Sequence, residues 1–390
     1  MVNQQKALML IKNNSCGVYV SEDHGVVARQ KVTIRANPTT SVGSNLLSGG
    51  LVEYRLEKGI IDLLTHAYLD INVTNSTGAN LTLAPIQTCV DRVEFYSENG
   101  GKLLAVIHDQ ELYLTNMFFS RNEIEQLDSY LGLGANYATT GTVVADGETR
   151  SFYLPVTYLL QNTKIFLAGL KSELLIKFYF NSSTLNLIAR SVPIVNNATL
   201  LLKGFYEEPA QSQKRKELYM GNTPIIMPFM NFQRMNQPLT LAPSSTYSIV
   251  LSGIRGISAG IIFTIRPTAI TAANQSNYEL VESYDLQNAS GESMIGYYRM
   301  NDADHKIQCA EMFDNLFASF KNFYVIPFSS HITWDYTSGA NNGFSVFTGF
   351  EKLSFTTPST LVGGAYTIDI RCLTHESIIV KQGTLSSTKS

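Results

Sequence analysis

Two stretches of this chain, about 170 residues apart, carry the same short segments in the same order. Phe152-Tyr153-Leu154-Pro155 is echoed by Phe323-Tyr324-Val325-Ile326-Pro327, and Leu175-Ile176-Lys177-Phe178 by Lys352-Leu353-Ser354-Phe355. Thr199-Leu200-Leu201-Leu202-Lys203 is echoed by Thr367-Ile368-Asp369-Ile370-Arg371, and upstream Val93-Glu94-Phe95-Tyr96 by Val281-Glu282-Ser283-Tyr284. Each match alone is weak, but their common order is hard to reach by accident. The period is too long for a solenoid repeat or a propeller blade, so it points to two copies of one domain.

The repeated segments read as β-strands. They are short, alternating or continuously apolar, rich in Val, Ile, Phe, Tyr and Thr, and bounded by Gly, Asn, Ser and Pro. In the first half they cover 67–73, 90–96, 103–107, 152–156, 174–180 and 200–206; Glu98-Asn99-Gly100-Gly101 supplies a hairpin turn. In the second half they cover 247–251, 260–265, 280–284, 295–300, 323–328, 344–350 and 366–373. Two helices are expected. One opens on the capping box Ser120/Glu123 and stops at Gly132. The other runs from about Asp304 with Phe313, Leu316, Phe317 and Phe320 as its apolar stripe. Such a strand count suits a jelly roll in each half. Charged residues are 16% against an average near 25%, and aromatic residues reach 11%, so the chain can bury large cores. The expected fold is therefore all-β: two tandem eight-stranded jelly rolls with short inserted helices. The expected divisions are an N-terminal arm over 1–45, a first jelly roll over 46–208, a polar linker over 209–217, a second jelly roll over 218–380 and a tail over 381–390.

The residues offer little chemistry. Net charge is −3, and the strongest basic run, Lys214-Arg215-Lys216, is followed at once by Glu217, so no phosphate-binding arm is expected. Cys16, Cys89, Cys309 and Cys372 are scattered and read as free buried thiols. Gly256-Ile257-Ser258-Ala259-Gly260 fits the hydrolase elbow, but the β-branched run after it is no helix, so a Gly-rich hairpin is expected. Asp302, Asp304, His305 and Glu311 lack calcium-loop spacing and suit a helix N-terminus. His108, Asp109 and Glu111, and His24 after Glu22 and Asp23, read as surface pairs. No catalytic residue, metal site or cofactor is expected. One stretch invites a binding role: Lys6, Lys12, Arg29, Lys31 and Arg35 face only Glu22 and Asp23, beside the apolar run Ala7 to Ile11. These cations suit contact with an anionic membrane surface or an arm that clasps a neighbour. No signal-peptide pattern and no run of ~18 to 20 apolar residues is visible.

The segments Leu69 to Asn75, Val90 to Tyr96, Phe152 to Val156 and Leu174 to Phe178, with the Ser/Thr-rich end from His375 through Thr388, resemble the double jelly-roll major capsid proteins of the tectivirus–adenovirus lineage. The likeness is nearest to tailless bacteriophages with an internal membrane and spreads over residues 50–390 as architecture and short motifs. It implies upright barrels, homotrimers of pseudo-hexagonal outline, and an icosahedral shell. It also implies contacts with neighbouring trimers, with vertex (penton) and minor capsid proteins and with an internal viral membrane beneath the shell, but none with nucleic acid directly. Synthesis in the host cytoplasm, residence in the virion and no enzymatic activity complete the expectation. The alternative is a carbohydrate-binding or adhesin protein of two β-sandwich domains; the single Trp334 counts against an aromatic binding platform.

Overall fold

The computed structural model describes residues 29–42, 45–97, 101–108, 130, 132, 141–156, 164–188, 194–274, 278–296, 299–312, 322–328 and 345–388. Alternation decides which way each strand faces. In Leu63–Thr74, the side chains of Ala67, Leu69, Ile71 and Val73 are buried in the core and the residues between them point to the opposite face.

The first half forms β1 (Arg29–Ala36), β2 (Thr40–Val42), β3 (Leu51–Leu56), β4 (Leu63–Thr74), β5 (Leu81–Leu83), β6 (Val90–Ser97) and β7 (Lys102–His108). It continues with β8 (Thr142–Val144), β9 (Thr149–Pro155), β10 (Leu174–Phe180), the short helix α1 (Ser183–Asn186) and β11 (Ile194–Glu207). Helix α2 (Pro209–Met220) follows. The second half forms β12 (Ile225–Leu241), β13 (Thr246–Val250), β14 (Gly256–Pro267), β15 (Ser283–Gln287), β16 (Met300–Asn301) and α3 (Asp302–Met312). It ends with β17 (Tyr324–Pro327), β18 (Ser345–Phe347), β19 (Lys352–Thr356), β20 (Gly364–Lys381) and β21 (Thr384–Thr388).

Strand order establishes the repeat. The first half pairs β1-β11-β4-β9 in one sheet and β3-β10-β6-β7, with β2 added, in the other. The second pairs β12-β20-β14-β17 and β13-β19-β15-β16. Counting eight shared strands in each half, both read first-eighth-third-sixth over second-seventh-fourth-fifth. This is a double jelly roll. The repeated segments fall on equivalent strands: 152–155 and 323–327 on the sixth, 175–178 and 352–355 on the seventh, 199–203 and 367–371 on the eighth.

Each barrel buries its own core. Tyr54, Leu69, Phe95, Phe152 and Phe178 belong to the first, and Ile249, Phe263, Tyr284, Leu353 and Ile370 to the second. The first cluster continues through Phe229, Ile262, Val325 and Leu373 of the second half, so the barrels share a buried seam. The β20–β21 hairpin closes that seam: Gly383 N–H donates to Tyr219 O (2.7 Å), Lys171 N–H to Gly383 O (2.8 Å) and Ser97 Oγ–H to Leu385 O (3.2 Å).

Three divisions expected from sequence fall differently. The arm expected over 1–45 includes β1, which pairs along β11 from Arg29↔Glu207 to Ala36↔Leu200 and so belongs to the first barrel. The linker expected over 209–217 is helical. Pro209 sits in the first turn, where its missing N–H costs nothing. Arg215 turns inward to Glu207, 2.7 Å away with both side chains fully buried, and lies 5.1 Å from the Phe166 ring centre. The buried stripe is Ser212, Arg215 and Tyr219, so no apolar periodicity advertised the helix. The tail expected over 381–390 includes β21, joined to β20 by the two-residue turn Gln382-Gly383, both at positive φ (51 and 74°).

Of the two expected helices, the one from Ser120 lies outside the described residues except Tyr130 and Gly132. The other is α3, with Asp302 and Asp304 in its first turn; its stripe from Phe313 to Phe320 lies outside the described residues. The hydrolase-like motif is not a hairpin but the start of β14. Ser258 is buried in a bulge of the β14–β20 ladder, where its Oγ–H donates to Gly260 O (2.9 Å).

Candidate assembly surface

The cations singled out in the sequence lead to one sheet face. Lys6 and Lys12 lie outside the described residues, whereas Arg29, Lys31 and Arg35 lie on β1. Residues directly opposite in an antiparallel ladder share a face. Lys31, Thr33 and Arg35 therefore stand with Leu201 and Lys203 of β11, and these with His66, Tyr68 and Asp70 of β4. All point away from the first barrel's core, and Tyr153 of β9 lies opposite Asp70. The alternation of β4 and β11 carried this signal, but nothing in sequence told that these strands adjoin β1.

The face is basic and aromatic. Arg35 Nη1 lies 2.5 Å from Asp70 Oδ2, yet 57% of the Arg35 side chain stays exposed. Lys203 Nζ lies 4.6 Å from the centre of the Tyr68 ring, a cation–π contact. His66 reports the local field: burial pushes its imidazole below the ordinary value, and Lys203, Lys164 and Lys31 push it further. At the centre, Asp70 Oδ1 and the neighbouring Thr199 Oγ1 are enclosed with no hydrogen-bond partner.

The second barrel repeats the device in finished form. Arg234, again from a first strand, places Nε 3.0 Å from Asp369 Oδ1, and Arg371 places Nη2 2.6 Å from Oδ2. Burial alone would raise the Asp369 carboxyl, but Arg371 and then Arg234 hold it below the usual carboxylate range. Both carboxylate oxygens are used, and Asp369 and Arg371 are buried.

The remaining outer faces make their own contacts. On β3-β10-β6-β7, Glu94 accepts from Arg92 Nε and Tyr96 Oη (both 2.7 Å), and Lys177 Nζ lies 3.2 Å from Glu53. Arg92 lies over the Tyr179 ring at 3.8 Å. On β13-β19-β15-β16, Arg299 donates to Thr356 Oγ1 (3.0 Å) and Ser354 Oγ (3.1 Å).

The groups weighed for chemistry do not converge. Asp302 pairs with Lys306 (2.5 Å). His305 is buried and bonded to neither acid: its Nδ1 is 2.8 Å from Tyr284 Oη and its Nε2 is 3.1 Å from Phe323 O. His108 ends β7, while Asp109, Glu111 and the group at His24 lie outside the described residues. Cys89 and Cys372 are free and buried, and burial pushes the Cys372 thiol up to about 12. Among the described residues no group of three or more His, Cys, Asp or Glu could hold a metal ion. An open sheet face of cations and tyrosines is suited to meeting another protein surface, where tyrosine and arginine are enriched.

No family model and no curated protein matches this sequence. Solved structures do match over nearly the whole chain. PBCV-1 VP54, in a structure fitted into a reconstruction of the virophage Sputnik, aligns with a TM-score of 0.70 at 12% identity, covering 95% of this chain and 99% of that one. The Faustovirus major capsid protein aligns with a TM-score of 0.65 at 10% identity, covering 92% of each. The mavirus major capsid protein aligns with a TM-score of 0.56 at 12% identity, covering 95% and 93%.

Proposed function

We propose that this chain is a major capsid protein that acts by assembly and catalyses nothing. The observation that carries this reading is end-to-end likeness: two matched jelly rolls in one chain, in the arrangement of proteins whose own names are major capsid proteins. Neither barrel is missing or replaced, so the chain has the parts that three copies need to set six barrels in a pseudo-hexagonal ring. Such a ring is a closed set of heterologous contacts, and it can tile a shell.

The finer expectations belong to the same reading: homotrimers, contacts with neighbouring trimers and with vertex and minor capsid proteins, a place in the virion, and a lipid layer beneath the shell. Net charge of −3 favours a shell that does not hold nucleic acid directly. For the membrane, Lys31 and Arg35 are better placed on a barrel flank than in a free arm. A catalytic reading loses support from Ser258, which is enclosed in a strand and bonded to Gly260 rather than raised on an elbow.

The test is the solution mass of the purified chain by light scattering, before and after mild heating. The chain mass is 43.2 kDa, so a persistent species of about 130 kDa is expected for a closed three-membered ring. A clean monomer would count against the capsid reading and favour the two-domain carbohydrate-binding one.

A further inference from the structure

The shared strand order makes equivalent faces comparable. The outer face of β12-β20-β14-β17 is closed over its inner strands, where Ile262, Thr264, Asp369, Arg371 and Leu373 are all buried, while Asn236 and Pro238 of its edge strand are exposed. The equivalent face of the first barrel, β1-β11-β4-β9, is more open: Asp70 and Thr199 are buried at its centre, but Lys31, Thr33 and Arg35 are exposed and Tyr68, Tyr153 and Lys203 half-buried. Among the described residues, the chain thus covers this face more fully on its second barrel than on its first.

The charges on the more open face are answered elsewhere on the same chain. On the second barrel, the side formed by β15, β16 and α3 exposes Glu282, Glu292 and Asp304, with Asp302 half-buried, against Arg299 and Lys306. Among the described residues, Lys31, Lys203, Glu282 and Asp304 hold no ion pair. The acidic side belongs to the sheet opposite the closed one, so it looks away from the seam that joins the barrels. A basic flank on one barrel and an acidic flank on the other suit a head-to-tail contact between identical chains.

We propose that the Lys31–Arg35–Lys203 face of one copy docks on the Glu282–Asp304 side of the second barrel of another copy. This rests on the capsid-trimer reading above and names the surface that closes its ring. Tyr68 and Tyr153 give the contact apolar area, and the opposed charges set its register and exclude the like-to-like arrangement.

The experiment compares four full-length chains by light scattering at low and high salt: wild type, K31E/K203E, E282K/D304K, and the four-fold combination. Wild type is expected to form trimers. Each double reversal is expected to weaken them by about tenfold or more at low salt, and the four-fold chain to recover them, because reversing both sides restores attraction. Circular dichroism melts check folding. If a reversal fails to fold, the milder K31Q/K203Q chain is measured instead and is expected to lose part of the trimer. Double reversals that trimerise like wild type would overturn this surface and leave the capsid reading standing. So would loss of trimer that the four-fold chain does not recover. A monomeric wild type would instead overturn the capsid reading itself.

Discussion

His305 and Arg215 show how single residues are committed to this fold. The Nε2 of His305 lies 3.1 Å from a carbonyl oxygen and must donate to it, which leaves Nδ1 to accept from Tyr284 Oη at 2.8 Å. The ring is neutral in this arrangement. Burial lowers its pKa from 6.5 to about 4, only partly opposed by the carbonyl of Phe323. An unfolded chain takes up a proton in that window and the native chain does not. Stability is therefore full above pH 6.5 and falls as pH drops towards 4. Melting temperature should fall between pH 7 and pH 5, and less so in a His305→Gln chain; equal falls would show that other groups govern the acid response. Arg215 is committed by charge. Its buried pair with Glu207 makes Arg215→Ala cost about 3–5 kcal/mol, because a buried carboxylate is left behind. Removing both charges in Glu207→Gln/Arg215→Met should cost less than Arg215→Ala alone, as read from denaturant midpoints.

At the scale of elements, the hairpin of β20 and β21 has the most at stake in one position. Gly383 has φ of 74°, and a Cβ there would stand 2.7 Å from Met220 Sδ and 3.1 Å from Gly169 O. Gly383→Val should therefore destabilise by about 1–3 kcal/mol and loosen β21 from the first barrel, which limited proteolysis near the C-terminus would detect. Elements also show where the sequence was legible. Leu174 to Phe180 is strand β10 over the full expected span, because an aromatic-rich apolar run broken only by Lys177 has the length of a strand and not of a helix. Leu280 to Tyr284 moved to Ser283–Gln287, and among the described residues of Ile295 to Met300 only Met300 is strand. The longest omission is β12. Pro228 and Pro238 with Asn231, Gln233, Asn236 and Gln237 hide it, yet it pairs with β20 alone on its sheet edge, where missing N–H groups are tolerated.

At the scale of the molecule, the repeat in the sequence was enough to give two copies of one all-β domain, because equivalent strands keep equivalent apolar spacing whatever their loops do. Alternation likewise determined which side chains enter each core. Sequence also marked Lys31 and Arg35 as an unusual run of cations, but it placed them in an arm. Only the tertiary structure decided that β1 completes the first barrel, that Lys203 and His66 join the same face, and that Arg215 is buried rather than solvated. The reason is physical. Strand periodicity is local and survives in one dimension, whereas neighbours in a jelly roll come from opposite ends of a domain, as Arg35 and Leu201 do. Which charges meet, and which face of a sheet is left open, follows from those long-range pairings alone.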